Sequence, residues 1–253
     1  MGLLDGKTAL ITGGSHGIGL EIALTFANEG ARVAIGYLPS YDDLRGADIS
    51  GTLYQLRATS ADVLAVAVDV CDEAQVQAMF QTVEKDMGGV DILVNSAGFV
   101  SLALVEEMAT EQWDRMIAVH LRGTFLASRA ALPHMLAHNS GRIINVASQI
   151  GQIGKPQYAH YAAAKGGIIA FTKALARETA GRGVLVNCIA PGPVRTGIVP
   201  AAPNSPSPSY GHLPIGRVGQ PSEIAPTALF LASEAASFYV GQTLNPNGGE
   251  VML

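Results

Sequence analysis

Residues 157–167 read QYAHYAAAKGG. Two tyrosines, Tyr158 and Tyr161, precede a single lysine, Lys165. On an α-helix Tyr161 and Lys165 stand one turn apart, about 6 Å of rise along one face. Tyr158 lies two turns and ~10.5 Å before Lys165, and it follows Pro156 in the first turn. A phenol and an ammonium on one face suit proton transfer at a carbonyl or alcohol oxygen. A free phenol titrates near 10, so little tyrosinate exists at neutral pH. Lowering that value by about three units takes ~4 kcal/mol of differential stabilisation. One ammonium ~4 Å away at an effective dielectric of about 20 supplies that much. Geometry therefore selects Tyr161 as the acid–base group and Lys165 as its tuning charge. The same spacing is common on helices that only pack, so the pair needs support from the rest of the chain.

The elements that must hold this pair alternate in type. Apolar runs at 7–12, 32–37, 63–68, 91–95, 142–146 and 184–189 read as strands. Helical periodicity fills 17–29, 72–87, about 110–137 and about 158–180. The strands are continuous in Val, Ile and Leu rather than alternating, the pattern of strands covered on both faces. Such β-α-β repetition predicts one α/β domain over 1–253, a parallel sheet with helices on both sides. Thr12, Tyr37, Asp69, Asn95, Ser148 and Ile189 fall at or just beyond strand ends, where ligands bind in such sheets. Residues 196–214 break the rhythm with five prolines and three serines. Their place beside the crevice suggests a mobile substrate lid, with a solvated connector as the alternative.

TGGSHGIG, residues 12–19, joins the first strand to the first helix. Its glycines let backbone N–H groups approach an anion, and the helix start adds partial positive charge. Asp69, after the third strand, has two readings: acceptor for an adenine amino group, or helix N-cap. NSAG (95–98) offers small residues to a flat ligand, and PGPVRT (191–196) forms a backbone turn after the sixth strand.

These elements, in this order from Gly6 to about Gly249, resemble the short-chain dehydrogenase/reductase family. The resemblance implies a Rossmann-type, seven-stranded, mostly parallel sheet holding NAD or NADP. The nucleotide half would cover about 1–140 and the catalytic half about 141–253. Gly13, Ser15, His16, Gly17, Ile18 and Gly19 would form the pyrophosphate cradle. Tyr37 would face the adenosine ribose, Asp69 and Val70 the adenine, and Asn95, Ala97 and Gly98 the adjacent ribose. Pro191, Gly192, Val194 and Thr196, with Tyr161 and Lys165, would hold the nicotinamide end. Ser148 would orient the carbonyl and stabilise charge developing on its oxygen. The implied activity is interconversion of a secondary alcohol and a ketone, as in a 3-oxoacyl-reductase-like ketoreductase. A homotetramer built through the long helices and the C-terminal strand is the implied assembly.

Two positions depart from the family pattern. An acid at the end of the second strand usually selects NAD, but Tyr37 stands there. No Lys or Arg stands there either; His16, Ser40 and Arg45 are the nearest candidates. NADP(H) is favoured over NAD(H), because a missing repulsion is easier to accommodate than a missing anchor. The second departure is WDRMIAVHLRG (113–123), where His120 occupies the place of the family's asparagine. A neutral imidazole has one donor and one acceptor, enough to hold the water that the asparagine positions. It also titrates near neutral pH and so offers a relay of its own; a tolerated replacement without a role is the third reading.

Composition narrows the alternatives. The net charge is −5 and only 15% of residues are charged, which argues against nucleic acid or anionic membrane as partners. No apolar run reaches the ~18 residues of a membrane span. Cys71 and Cys188 are far apart, fitting a reducing compartment; a cytoplasmic protein is expected. His134 and His138 share a metal-like spacing without further ligands, so no metal is expected. A catalytically inactive nucleotide-sensing or scaffold protein is the alternative from another class, and His120 alone supports it. An epimerase or dehydratase would need a substantial second substrate domain.

Overall fold

The computed structural model describes residues 2–40, 49–59, 62–196 and 213–252. The lid expected over 196–214 lies almost wholly outside these residues, as does Arg45. Seven strands form one sheet: β1 Thr8–Thr12, β2 Arg32–Tyr37, β3 Val63–Ala67, β4 Ile92–Asn95, β5 Gly141–Val146, β6 Val184–Ile189 and β7 Thr243–Leu244. Their order is β3-β2-β1-β4-β5-β6-β7. Every pairing is parallel, so the sheet is wholly rather than mostly parallel.

Helices cover both faces. They are α1 Gly17–Asn28, α2 Ile49–Arg57, α3 Glu73–Met87, α4 Thr110–Ile117, α5 Gly123–Ala137, α6 Ile150–Ile153, α7 Ala159–Thr179 and α8 Ala225–Ala232. Successive side chains of a strand point to opposite faces, and here both faces are dry. Ala9 and Ile11 of β1 pack with Ile22 and Phe26 of α1 and with Leu231 of α8. Leu10, between them, packs on the other face with Met79 of α3, Met135 of α5 and Leu175 of α7. That two-sided burial is why the strands read as unbroken apolar runs.

The single helix expected over about 110–137 is interrupted. Ala118–Arg122 forms a π-helical turn between α4 and α5. Such a turn adds one residue to the helical repeat and re-aims the side chains that follow, and it occurs often at functional sites. The Thr124 hydroxyl donates to the His120 carbonyl at 2.7 Å within this bulge. The short helices α2 and α6 carry too little periodicity to stand out in the sequence.

Candidate active site

The crevice opens where the winding of the sheet reverses. The chain moves outward from β1 to β2 and β3, then returns to set β4 on the other side of β1. Loops leaving neighbouring strands diverge at such a point and leave room for a ligand. Here the loops after β1 and β4 touch before they part. Thr12 Oγ1 accepts from the backbone N–H of Ser96 and Ala97 at 3.2 and 3.3 Å. A Cβ on Gly13 would lie 2.7 Å from Ala97 Cα, and Gly13 has φ +66°. Only glycine meets both demands. A Cβ on Gly19 would fall 2.2 Å from the Gly13 carbonyl oxygen, so α1 starts tight against the loop. The N-cap residue His16 gives α1 no side-chain cap, and no acid occupies its first turn. That helix start suits an anionic ligand such as a pyrophosphate.

Two adjoining cavities follow the strand ends. The smaller is lined by Ser15, Tyr37, Asp69, Val70, Ala97 and Arg115, and shares Gly13, His16, Gly98 and Phe99 with the larger. Asp69 does not cap α3: Asp72 does, accepting from Ala74 and Gln75 N–H. Asp69 instead accepts from Cys71 N–H at 2.9 Å, and Arg115 lies 3.3 Å from its other oxygen. Burial pushes this carboxyl up, but the Cys71 contacts and the Arg115 guanidinium outweigh it and hold the acid below its ordinary value. Arg115 was invisible as a site residue in the sequence, because 46 positions separate it from Asp69.

The larger cavity, about 430 Å³, gathers Ile18, Gly19, His120, Ser148, Tyr161, Lys165, Pro191, Gly192, Val194 and Thr196. Gly17 supports it from behind, its φ at +57° and its Cα side closed by Thr196. Asn95 departs from the expectation. Its amide donates to Asn145 Oδ1 at 2.8 Å and Ser128 Oγ at 3.1 Å, tying β4 to β5 and α5 instead of lining the crevice.

The chain from β5 to α7 explains how Ser148 meets Tyr161. Helix α6 folds back on α7 at a glycine contact, where a Cβ on Gly151 would lie 2.6 Å from Gly166 N. The Ser148 hydroxyl accepts from Ile150 N–H at 3.2 Å and shares the cavity lining with the Tyr161 phenol. Lys165 is fully buried; it donates to the Val146 carbonyl at 2.7 Å, and its ammonium lies 5.6 Å from the Tyr161 ring centroid. Burial drives its value down to about 8. Burial also drives the Tyr161 phenol up to about 12, against the pull of Ser148 and with a small push from Tyr158. The lowering expected from Lys165 was to be helped by the charge of an oxidised nicotinamide; in the polypeptide alone the phenol is pushed up. The ammonium is directed at a backbone carbonyl, and the desolvation of the ring dominates. Tyr158 stands edge-on to Tyr161, ring centroids 6.0 Å apart, as a neighbour rather than a partner of Lys165.

His120 is 2% exposed, and the π-helical turn sets it edge-on to Tyr161 with centroids 5.3 Å apart. Its Nε2 lies 2.8 Å from the Phe99 carbonyl oxygen, while Nδ1 is buried without a partner. Gly98 makes room for the ring: a Cβ there would sit 2.3 Å from His120 Cε1. Burial, then the charge of Lys165, hold the imidazole well below its ordinary range. His120 is thus neutral at neutral pH, contrary to the titrating relay considered from the sequence.

Among curated proteins, the 3-oxoacyl-(acyl-carrier-protein) reductase FabG of Staphylococcus aureus (strain Mu50) is 38% identical over 247 residues, 97% of this chain and 98% of the relative. The enzyme of the same name from Vibrio cholerae is 39% identical over 251 residues, 99% of each. A family described as enoyl-(acyl carrier protein) reductase matches residues 13–250. The chain belongs to the short-chain dehydrogenase/reductase family. A crystal structure named a "putative gluconate dehydrogenase", from Agrobacterium tumefaciens, superposes with a TM-score of 0.90 at 34% identity, covering 98% of both chains. Like its short-chain dehydrogenase/reductase relatives, the protein is an oxidoreductase of CH–OH and C=O groups that uses a nicotinamide cofactor.

Phe99 and Glu250 are walls of this short-chain dehydrogenase/reductase pocket that the sequence missed, whereas Gln149 and Lys155 fall in the segment 149–157 that was expected to line it. Glu250 arrives from the far end of the chain, and no local pattern announces it. No helix among the described residues is long and apolar enough to cross a membrane. Among those residues no group of three or more His, Cys, Asp or Glu could hold a metal ion. His138 Nδ1 pairs with the His134 carbonyl oxygen at 2.9 Å.

Proposed function

We propose that the chain is a ketoreductase and alcohol dehydrogenase in which Tyr161 moves the proton, Ser148 and Lys165 assist it, and NADP(H) is the preferred cofactor. The observation that carries this reading is the meeting of Ser148, Tyr161 and buried Lys165 in one cavity continuous with the glycine cradle. When bound, a nicotinamide would supply or accept the hydride. Tyr161 is protonated at neutral pH, so it is ready to donate to a carbonyl oxygen as negative charge develops there. Ser148 donates a second hydrogen bond to the same oxygen and fixes its position. Lys165, held by Val146, would face the nicotinamide ribose and stabilise a tyrosinate in the oxidative direction. The tight turn that glycines 13, 17 and 19 permit would hold a pyrophosphate against the start of α1, and Asp69, paired with Arg115, would face the adenine.

The preference for NADP(H) rests on the wall at the end of β2. Tyr37 and Leu38 form it, and Asp69, already paired with Arg115, is the carboxylate nearest in the cavity lining. NADPH is expected to bind more tightly than NADH, because no carboxylate at the Tyr37 position opposes its 2′-phosphate. Titration calorimetry with both cofactors checks this. Tyr37→Asp is expected to reverse the order by placing a charge against the 2′-phosphate.

His120 would hold a hydrogen-bond donor at its free Nδ1 without changing charge. His120→Ala is expected to lower turnover by about fivefold, the value of one hydrogen bond. The pH profile between 6 and 8 should keep its shape in both His120→Ala and His120→Asn. A wild-type inflection near the ordinary histidine value that both variants lose would reinstate a titrating relay.

We also propose a cytoplasmic homo-oligomer. Support comes from the half-exposed aromatics Trp113 and Phe125, with Phe125 edge-on to Phe171 of α7, on the helices that such an assembly would bury.

A further inference from the structure

The pocket holds a second polar pair, outside the proton-transfer group. Gln149 follows Ser148 in the chain and is 4% exposed. Its Nε2 donates to Glu250 Oε2. A carboxylate accepts and does not donate, so this contact fixes which end of the amide faces Glu250. The other end, Oε1, is buried without a partner. The Gln149 backbone is itself pinned, donating to the Pro191 carbonyl at 3.1 Å and accepting from Gln152 and Ile153. A neighbouring pair, Gln152 Nε2 on Asn245 Oδ1 at 2.9 Å, ties the same two chain segments together. Gln149 and Glu250 line the cavity that contains Ser148 and Tyr161.

This wall presents the unpartnered amide oxygen of Gln149 beside the Glu250 carboxylate. A buried acceptor is costly to leave unpaired, and a site of that kind rejects analogues that lack the donor. Lys155 lines the same cavity, its ammonium 5.5 Å from the Tyr158 ring centroid. It opposes a cationic substituent, so the donor that suits both walls is a neutral hydroxyl.

We infer that Gln149 and Glu250 form an acceptor site that selects substrates carrying a hydroxyl near the reacting carbon, hydroxyketones and polyols over simple ketones. The inference rests on the pocket being the carbonyl-reducing site proposed above. A panel of ketones bearing a hydroxyl one, two or three carbons from the carbonyl tests it, each compared with its own O-methyl ether. The ether keeps the oxygen and removes the donor. In the full-length enzyme kcat/KM is expected to favour at least one free hydroxyl over its ether by about tenfold to a hundredfold, the range for a hydrogen bond to a charged acceptor. Glu250→Gln and Gln149→Met should each bring that ratio towards one. The ratio is internal to each variant, so a general loss of activity does not alter its meaning. Equal rates on hydroxyl and ether in the wild type, or a preference that survives both substitutions, would overturn the inference. If no ketone is turned over, the ketoreductase reading fails, and calorimetric binding of the same pairs decides the acceptor site separately. Tighter binding of the hydroxyl members that Glu250→Gln abolishes supports it; equal binding rejects it.

Discussion

Replacing Tyr161 with phenylalanine is expected to lower turnover by ~10²–10⁴-fold, the range of a lost general acid, while cofactor affinity stays close to the wild type. The substitution removes one oxygen from a ring already packed between His120 and Tyr158, so the fold has little to lose. It also leaves the Ser148 hydroxyl its contact with Ile150 N–H. Stopped-flow reduction and cofactor titration on the same preparation separate chemistry from binding. Wild-type turnover in Tyr161→Phe would remove the proposed proton donor. Failure of both proteins to reduce any ketone would instead favour the nucleotide-sensing alternative.

Lys165→Met should give an opposite pairing of effects, with turnover reduced by ~10²-fold or more and stability held or raised. The turnover loss is expected because a buried ammonium beside a developing tyrosinate cannot be replaced by a thioether. The stability argument follows from proton linkage. Burial brings the folded-state value of Lys165 to about 8 against an ordinary 10.5. Below pH 8 the lysine is charged in both states, and burying that charge costs ~3 kcal/mol. Between 8 and 10.5 the unfolded chain binds more protons than the folded one, so this cost fades as pH rises. Methionine removes the cost at every pH but leaves the Val146 carbonyl without its donor, a loss of ~1–3 kcal/mol. The stability difference between variant and wild type should therefore shift against methionine as pH rises from 8 to 10.5. Using the difference cancels other groups that titrate there, including Cys71 and Cys188, each raised to about 11 by burial. Urea denaturation at pH 7, 8, 9 and 10 measures it. A variant that is less stable at pH 7 yet fully active would make Lys165 a structural residue.

The two large effects fall on residues that local spacing could find. Tyr161 and Lys165 lie one helical turn apart, so the helix alone puts them on one face. The glycine turn between β1 and α1 was readable for the same reason. Its positive-φ backbone belongs to a short segment, and the strand and helix flanking it announce themselves by composition. Unbroken apolar runs likewise implied a doubly covered parallel sheet, because both faces of each strand are buried.

Other features depend on approach between distant segments. The π-helical turn that aims His120 has no composition of its own, and its geometry exists only with Gly98 beneath the imidazole. The Tyr161 phenol is pushed up in the polypeptide alone because desolvation depends on how completely the neighbours close over the ring, which spacing does not report. Asn95 turned into the sheet because Asn145 and Ser128 were waiting there, 50 and 33 positions away. Glu250 reaches the pocket from 101 residues beyond Gln149. The sequence by itself determined the fold class, through its alternating apolar runs, and set Tyr161 and Lys165 on one helical face and the glycines in the β1–α1 turn, since those spacings are encoded within one or two turns of chain. Tertiary structure alone decided the charge states and the substrate wall, because burial and hydrogen-bond pairing are properties of segments that meet only after folding.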